Sequence, residues 1–313
     1  MISELLKSVS LGLEINIDNL VNFISPSIGN LNFVAEGGGY YAANVASTIF
    51  KALIGVNVGC FYPREYSLYI APYVNDDLIV FLTRGSPVPP RIVDAIKTCS
   101  ILGLKSVLIG GGKFSDNEEC LDYVDIIVEV KAPENKLSST HYLAILTLLI
   151  RLAGTLAEKL GNMRSIEMNR QLNQIPRDSF DYESSLINNI LLKIINHARA
   201  YIYSGYTMYG LAAKVSRDLN VNLNANCIPV KLGQHPYVTR RVKMSDYVVI
   251  FKTELETNSA REIANFLRIR GIEVDILDIM GDPLVAPIET GIILLSETGN
   301  LISSRDEIVD DDW

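Results

Sequence analysis

The residue types of greatest chemical interest follow an apolar run that ends at Leu82. Two hydroxyls, one guanidinium and one glycine are consecutive there: Thr83, Arg84, Gly85 and Ser86. Hydroxyl and main-chain N–H groups donate hydrogen bonds to an oxyanion, and an arginine adds a charged donor. A helical pattern begins at Arg91, and a helix N-terminus favours negative charge. The sequence therefore predicts an anion site, with helix capping by Thr83 or Ser86 as the alternative.

A second glycine-rich junction lies nearer the start of the chain. A strand-like run over 31–36 enters Gly37, Gly38 and Gly39, and a helical pattern begins at Tyr40. Consecutive glycines let main-chain N–H groups approach a ligand closely. Ligands of parallel sheets bind outside the carboxyl ends of the strands. We therefore expect both junctions to contribute to one ligand site at one edge of a sheet.

The elements that must position these junctions occur twice along the chain. An offset of 167 residues places Gly38 on Gly205 and Cys60 on Cys227. In each half a glycine turn follows a strand, and apolar strands then alternate with helices. This alternation predicts parallel sheets covered by helices, and the long repeat period predicts a duplicated domain. We expect an α/β fold of two tandem αβα sandwiches, over residues 1–160 and 161–313.

Three further segments complete the expected organisation. Residues 161–180 are polar and contain Pro176, which is typical of a linker. The flanking segments 141–160 and 182–197 are helical in pattern and apolar enough to be buried. We expect these helices to pack between domains or between subunits. A homodimer is the favoured interpretation, although a core within one domain would look similar. The apolar run 290–295 is interpreted as a final strand.

Composition disfavours several classes of protein. The 313 residues carry a net charge of −8 without a Lys/Arg-rich stripe, which argues against nucleic-acid binding. The four cysteines are far apart, so we expect no metal site, no disulfides and a reducing, cytoplasmic location. No leader pattern is recognised, and the run Tyr142–Ile150 is shorter than the ~20 residues that span a bilayer. The sequence predicts no cofactor and no membrane partner.

Longer stretches resemble the sugar-isomerase (SIS) domain superfamily, and specifically the archaeal bifunctional phosphoglucose/phosphomannose isomerases. The resemblance covers most of residues 30–295 and is carried by VAEGGGYYAANVAS, PREYSLYIAPYVNDDLIVFLTRGS, DYVDIIVEVKAPENKLSSTHYLAILTLL and KVSRDLNVNLNANCIPVKLGQHP. It implies two SIS-type domains, a homodimer and a phosphosugar ligand. It also implies aldose–ketose isomerisation, with a hydroxyl-rich phosphate loop, a glutamate base and a ring-opening histidine from the partner subunit.

The phosphate loop implied by this resemblance is only partly present. The family loop has the pattern Ser-x-Ser-Gly-x-Thr, and Thr83 matches its first serine. Gly85 and Val88 replace the second serine and the threonine. Ser86 restores one hydroxyl if the loop is shifted by one residue. The resemblance therefore implies a phosphate loop with fewer side-chain donors than is usual.

The base is the part of the implied site that the sequence lacks. His235 matches the ring-opening histidine, but Leu232 stands where the glutamate is expected, and a leucine cannot accept a proton. Glu36 and Glu65 are candidate substitutes, because each lies in a segment that approaches the ligand edge of the sheet. Salt bridging or solvation is the alternative interpretation for both carboxylates.

Four other polar residues are interpreted as structural. Glu254 and Glu256 occupy the second half's equivalent of the phosphate loop, where two carboxylates would repel phosphate. No anion site is therefore expected in the second half. His141 and His197 lie at the ends of apolar helices, where a histidine is more typical of helix structure than of catalysis.

Two functions remain open. The first is a phosphosugar isomerase that interconverts glucose or mannose 6-phosphate with fructose 6-phosphate, with Glu36 or Glu65 as base and His235 opening the ring. The second is a sugar-phosphate-binding protein without catalysis, either a sensor or a regulatory partner. A Rossmann-type oxidoreductase is disfavoured, because the glycine run lacks GxGxxG spacing and no acidic residue ends the next strand.

Overall fold

Two parallel β-sheets organise the chain, one in each half. The computed structural model describes residues 1–25, 29–75, 77–135, 137–175 and 184–305. Residues 3–175 belong to one compact unit, called the first unit below, and residues 184–305 belong to the second unit. The division between the units therefore lies beyond residue 175, later in the chain than the boundary expected after residue 160.

The first sheet contains β1 (Asn30–Ala35), β2 (Asn57–Phe61), β3 (Leu78–Thr83), β4 (Lys105–Gly110) and β5 (Ile126–Glu129). The order is β2-β1-β3-β4-β5, and every neighbouring pair is parallel. All residues of the central strand β3 are buried. An apolar run without alternation is typical of a parallel strand that is covered on both faces. The central strand β3 is such a strand.

The helices of the first unit are α1 (Ile2–Glu14), α2 (Asp18–Ile24), α3 (Gly37–Ile54), α4 (Pro63–Glu65), α5 (Pro90–Ile101), α6 (Ser139–Lys159) and α7 (Met163–Leu172). Helices α3 and α6 pack against each other. Helix α5 contributes Ile92 and Ile96 to a core that includes Ile79 and Phe81 of β3. Helix α6 is long and apolar enough to cross a membrane, but 89% of its apolar stretch is buried inside the fold, so it is a core helix.

Most of the expected linker is helical. Asn162 caps α7, because its side-chain oxygen accepts a hydrogen bond from Arg164 N at 3.0 Å. Met168 and Leu172 are buried, and the helix packs on α6. The linker prediction is therefore wrong for 163–172. Met168 and Leu172 lie one turn apart, and their burial is enough to anchor this polar helix. Residues 176–180 of that prediction lie outside the described residues.

The second sheet contains β6 (Ala200–Ser204), β7 (Cys227–Lys231), β8 (Tyr247–Lys252) and β9 (Glu273–Asp278). Its order β7-β6-β8-β9 repeats the order β2-β1-β3-β4 of the first sheet, and all pairs are parallel. The helices of this unit are α8 (Ser184–Asn196), α9 (Tyr209–Leu223), α10 (His235–Val238), α11 (Thr257–Ile269) and α12 (Ala286–Ser303). The shared strand order agrees with the internal repeat in the sequence.

The final strand expected at 290–295 is instead the middle of α12. The helix packs on α8 and α9, and its residues Ile288, Ile292 and Leu295 are buried. A short, continuous apolar run does not distinguish a buried strand from a buried helix. The prediction of a strand is wrong for this reason.

Candidate functional site

The turn from β1 into α3 presents main-chain donors at the carboxyl edge of the first sheet. Glu36 is the extended residue before the helix, and Gly37 has a φ of +55°, a left-handed conformation that glycine adopts without strain. The N–H groups of the first helical turn have no acceptor within the helix. The turn therefore directs several donors, and the positive end of the helix dipole, at the sheet edge.

The central strand β3 ends at a buried hydroxyl. Thr83 is 0% exposed, and its Oγ1 has no hydrogen-bond partner among the described residues. Its carbonyl oxygen accepts a hydrogen bond from Gly111 N at 3.0 Å, which ties the end of β3 to the loop after β4. A buried donor without a partner costs about 1–3 kcal/mol. The protein thus keeps an unsatisfied donor at the end of its central strand.

The turn after Thr83 packs against the loop after β4. Ser86 N donates a hydrogen bond to Lys113 O at 3.1 Å, and Ser86 Oγ accepts one from Ser115 N at 2.5 Å. Gly85 has a φ of +133°, and a Cβ there would lie 3.0 Å from Lys113 O. The Ser86 hydroxyl and amide are therefore engaged within the protein, and the close approach of the two loops requires glycine at position 85.

The residues of this turn do not cap the helix that follows. Helix α5 begins at Pro90, with Pro89 before it and no side-chain cap. The capping interpretation of Thr83 and Ser86 is therefore wrong. The Arg84 guanidinium is partly exposed and lies 3.9 Å from the carboxylate of Glu134, which is itself largely exposed. Such an exposed pair leaves the arginine able to contact a ligand.

A second group of buried hydroxyls, at the N-terminus of α6, was not among the residues predicted from the sequence. Ser138 and Ser139 are 0% and 1% exposed, and neither hydroxyl has a partner among the described residues. Ser138 has a φ of +50°, which is costly for a residue other than glycine, and its side chain does not cap the helix. Backbone strain at a buried polar residue is typical of functional positions. The only signal in the sequence is a Ser-Ser-Thr run before an apolar helix.

Contacts around His141 bring the start of α6 to the end of β4. A Cβ on Gly111 would lie 2.7 Å from His141 Cβ, and a Cβ on Gly112 would lie 3.3 Å from His141 Nε2. Burial, followed by the nearby Arg84 charge, lowers the pKa of His141 to about 4, so the ring is neutral at pH 7. The serines of α6 therefore lie at the same sheet edge as Thr83.

The two candidate bases have different surroundings. Glu36 adjoins the glycine run at the start of α3, and its carboxylate lies 3.8 Å from Arg91 Nη1. The Glu65 carboxylate accepts a hydrogen bond from Tyr62 N at 3.4 Å, as part of the cap of α4. Tyr62 stacks on Tyr40 with ring centroids 4.1 Å apart. Glu36 is therefore the carboxylate that directly borders the donors of the first sheet edge.

The predicted residues of the second half lie elsewhere. Leu232 is 7% exposed and belongs to the apolar core of the second unit, together with Val230 and Ile250. His235 begins α10 and lines a cavity of about 350 Å³, whose other residues are Pro236, Thr239, Arg240, Glu262, Ile263 and Phe266. The imidazole thus lies beside α11 of its own unit.

The edge of the second sheet is occupied by one of the protein's own carboxylates. Glu256 Oε2 accepts hydrogen bonds from Thr253 N at 2.9 Å and from Thr253 Oγ1. A Cβ on Gly205 would overlap Glu256 Oε1, so the carboxylate lies directly against the turn from β6 into α9. This arrangement favours the expectation that no phosphate binds at the second edge.

The first sheet edge therefore has the groups that bind an oxyanion. The N-termini of two long helices, α3 and α6, lie at this edge, and three buried hydroxyls accompany them: Thr83, Ser138 and Ser139. Arg84 adds a partly exposed positive charge. The three hydroxyls have no access to solvent, so a ligand reaches them only when the surrounding loops move.

Solved structures share this fold, whereas no protein-family profile and no curated protein sequence matches the chain. The C-terminal domain of glucosamine-fructose-6-phosphate aminotransferase from Francisella tularensis superposes with a TM-score of 0.82 at 15% identity, over 99% of this chain and 95% of that one. A proposed phosphosugar isomerase from Bacillus subtilis gives 0.79 at 13% identity, over 97% and 98%. Tagatose-6-phosphate ketose/aldose isomerase from Escherichia coli gives 0.66 at 13% identity, over 96% and 90%. The α/β fold with parallel sheets is thus shared over almost the whole chain.

Proposed function

We propose that this chain is a SIS-type protein of two tandem αβα sandwiches that binds a sugar phosphate at the carboxyl edge of its first sheet. The observation that carries the proposal is the set of buried, unpartnered hydroxyls of Thr83, Ser138 and Ser139 beside the N-termini of α3 and α6. Helix N-termini and hydroxyl donors together favour a phosphate group. Two proteins of the same fold are named for sugar phosphates, which supports this choice among oxyanions.

Binding has a structural requirement. The turn at 84–86 is joined to the loop at 110–115 by hydrogen bonds from Gly112 N to Arg84 O and from Ser115 N to Ser86 Oγ. We expect a phosphate bound at Thr83 to separate these two segments. The hydrogen bonds gained by the phosphate then offset those lost between the segments.

We further propose that the bound sugar phosphate is isomerised, with Glu36 as the base. Aldose–ketose interconversion moves a proton between C1 and C2, so a carboxylate must lie next to the bound sugar. Glu36 borders the donors of α3, whereas the Glu65 carboxylate is hydrogen-bonded to the main chain of Tyr62. Ring opening by His235 stays a prediction of the resemblance, because that residue lies in the second unit.

A second candidate function is sugar-phosphate binding without catalysis. Leu232, at the position where the family resemblance implies the base, is part of an apolar core. A protein with phosphate donors but no base would bind its ligand and turn it over slowly, since general base catalysis contributes about 10²–10⁴-fold. Such a protein would act as a sensor or as a regulatory partner.

One experiment separates these functions. The protein is incubated with fructose 6-phosphate in deuterated water, and NMR follows aldose formation and deuterium at C2. An isomerase gives labelled aldose, and Glu36→Gln lowers the rate by about 10²–10⁴-fold, whereas the matched control Glu65→Gln keeps it. Binding without label or product identifies the binding protein.

Ligand binding itself is measured first, as the rise in melting temperature with glucose 6-phosphate and fructose 6-phosphate at millimolar concentration. No rise with either compound, and none with inorganic phosphate, would contradict both functions. We also expect a homodimer, as the resemblance implies, and a cytoplasmic location, as the separated cysteines indicate. Light scattering of the purified protein measures its mass in solution.

A further inference from the structure

The cavity beside His235 is formed by residues of the second unit alone. Its volume of about 350 Å³ lies at the lower end of the roughly 300–1,000 Å³ that small-molecule sites occupy. The cavity lies between α10 with the following turn on one side and α11 on the other. It is therefore large enough for a small metabolite.

The walls of this cavity are held in place by hydrogen bonds and ring contacts. The Arg270 guanidinium donates to Thr239 O at 2.8 Å and to Val242 O at 3.2 Å. The same guanidinium lies 5.6 Å from the centre of the Phe266 ring. The Thr239 hydroxyl lies 3.2 Å from Tyr203 OH, which is buried in the core. These contacts join α11 to the turn after α10, so the cavity exists before any ligand binds.

The polar groups around the cavity carry opposite charges. Arg240 and Glu262 are both exposed, and in the described part of the chain neither takes part in an ion pair. The His235 ring is half-buried and also lines the cavity. Pro236, Ile263 and Phe266 supply an apolar surface. A ligand that satisfies all of these groups has one negative end, one positive end and an apolar body.

We propose that this cavity binds a free α-amino acid with an apolar side chain. The carboxylate would pair with Arg240 and accept a hydrogen bond from His235, and the ammonium group would pair with Glu262. The side chain would pack on Ile263 and Phe266. Charge-assisted hydrogen bonds at both ends fix the orientation, and the apolar surface selects the side chain.

The same lining disfavours a sugar phosphate. Arg240 would attract a phosphate, but a sugar phosphate has no cationic group to pair with Glu262, and the apolar residues offer no hydrogen bonds to sugar hydroxyls. This site is thus chemically different from the first sheet edge, and the inference does not depend on the proposed function. One imidazole and one carboxylate are also too few ligands for a tightly held metal ion.

The test uses L-phenylalanine as the probe, with binding measured by isothermal titration calorimetry on the full chain. Two analogues each lack one charge: 2-phenylethylamine has no carboxylate, and 3-phenylpropionate has no ammonium group. We expect millimolar binding of L-phenylalanine. Each analogue should bind at least about tenfold more weakly, which corresponds to about 1.4 kcal/mol.

Variants locate the binding. Glu262→Gln and Arg240→Gln should each weaken L-phenylalanine binding by about tenfold or more, and Glu262→Gln should strengthen binding of 3-phenylpropionate. Arg261→Gln is the matched control, because Arg261 is exposed on α11 but does not line the cavity. All three residues lie on the surface, so folding is retained. The effect of fructose 6-phosphate on the melting temperature should be the same in every variant.

Two results would overturn the proposal. One is that calorimetry detects no heat of binding when wild type is titrated with L-phenylalanine at millimolar concentration. The other is binding that Glu262→Gln and Arg240→Gln leave unchanged, which would place the amino acid elsewhere. Neither result bears on sugar-phosphate binding, which is measured separately.

Discussion

The carboxyl edges of the two sheets differ in what occupies the first strand–helix turn. In the first unit the turn at Gly37 leads into α3 and is bordered by Glu36. In the second unit the Glu256 carboxylate lies against Gly205 and accepts both donors of Thr253. The strand order is the same, so the difference arises from side chains. The two edges of a duplicated scaffold can thus differ in their side chains, and at the second edge a carboxylate of the protein lies against the turn.

Unpartnered hydroxyls alone do not distinguish the two edges. Ser204, at the end of β6, is also buried, and its Oγ has no partner in the described structure. Thr83 shares this feature at the end of β3. The carboxylate of Glu256, rather than a lack of buried hydroxyls, therefore distinguishes the second edge.

The largest effect is expected from the buried ion pair of the second unit. Lys214 Nζ lies 2.7 and 2.8 Å from the two carboxylate oxygens of Asp218, and both side chains are fully buried in α9. Removing one partner leaves a buried charge, so Asp218→Ala should lower the free energy of unfolding by about 3–5 kcal/mol. Urea unfolding followed by circular dichroism measures this change.

The repeat supplies a control for this prediction. The offset of 167 residues places Asp218 on Lys51 of α3, which is exposed. Lys51→Ala should change the free energy of unfolding by less than about 0.5 kcal/mol. Equal effects of the two substitutions would show that the buried pair contributes no more than a surface charge.

The next effect concerns the pH dependence of the first unit. Burial and the Arg84 charge lower the pKa of His141 from its ordinary 6.5 to about 4. Between these values the unfolded chain binds a proton that the folded chain does not. The contribution of His141 to the free energy of unfolding is therefore fully present above pH 6.5. It decreases by about 3 kcal/mol as the pH falls towards 4. His141→Gln should remove this part of the pH dependence.

Hydrogen exchange of α6 peptides at several pH values measures this effect in the first unit. Carboxylates also titrate in this range, so the quantity of interest is the difference between wild type and His141→Gln. A pH dependence that is identical in both proteins would mean that His141 keeps an ordinary proton affinity when folded.

The sequence predicted the parallel sheets and the duplication because both depend on patterns that repeat. One such pattern is the similarity between the apolar sequences of β3 and β8. It did not predict α12, since the apolar run at 290–295 fits a buried strand equally well. It also missed Ser138 and Ser139. Their proposed role rests on burial without a hydrogen-bond partner among the described residues, and no local pattern encodes which hydroxyls the fold leaves unpaired.

The position of Ser86 was unpredictable for a related reason. Its residue type and its place after a strand are those of a phosphate ligand, but its hydroxyl accepts from Ser115, which is 29 residues away in the chain. Glu262 was missed because its proximity to His235 depends on how α10 packs against α11. Contacts between distant segments decide both cases.

At the first edge, Thr83→Val should change stability and binding in opposite directions. The substitution keeps the shape of the side chain and removes a buried, unpartnered hydroxyl, so the free energy of unfolding should rise by about 1 kcal/mol. Loss of a donor to a phosphate should weaken glucose 6-phosphate binding by about tenfold or more. Thermal unfolding and calorimetry of the same preparation measure both quantities. A variant that is more stable and binds as wild type would exclude Thr83 as a phosphate donor.

The smallest effect is expected at the second edge, from Ser204→Ala. Ser204 resembles Thr83 in ending a parallel strand and in having a buried Oγ without a partner among the described residues. Removing this hydroxyl should raise the free energy of unfolding by at most about 1 kcal/mol, because the desolvation cost of an unpaired donor disappears. Binding of glucose 6-phosphate should stay unchanged, since the Glu256 carboxylate lies against the turn that an anion would need. Calorimetric titration of wild type, Thr83→Val and Ser204→Ala under one set of conditions makes the comparison direct. Weaker binding in Ser204→Ala would mean that the second edge also contacts the phosphosugar, and that the carboxylate of Glu256 moves away when the ligand binds.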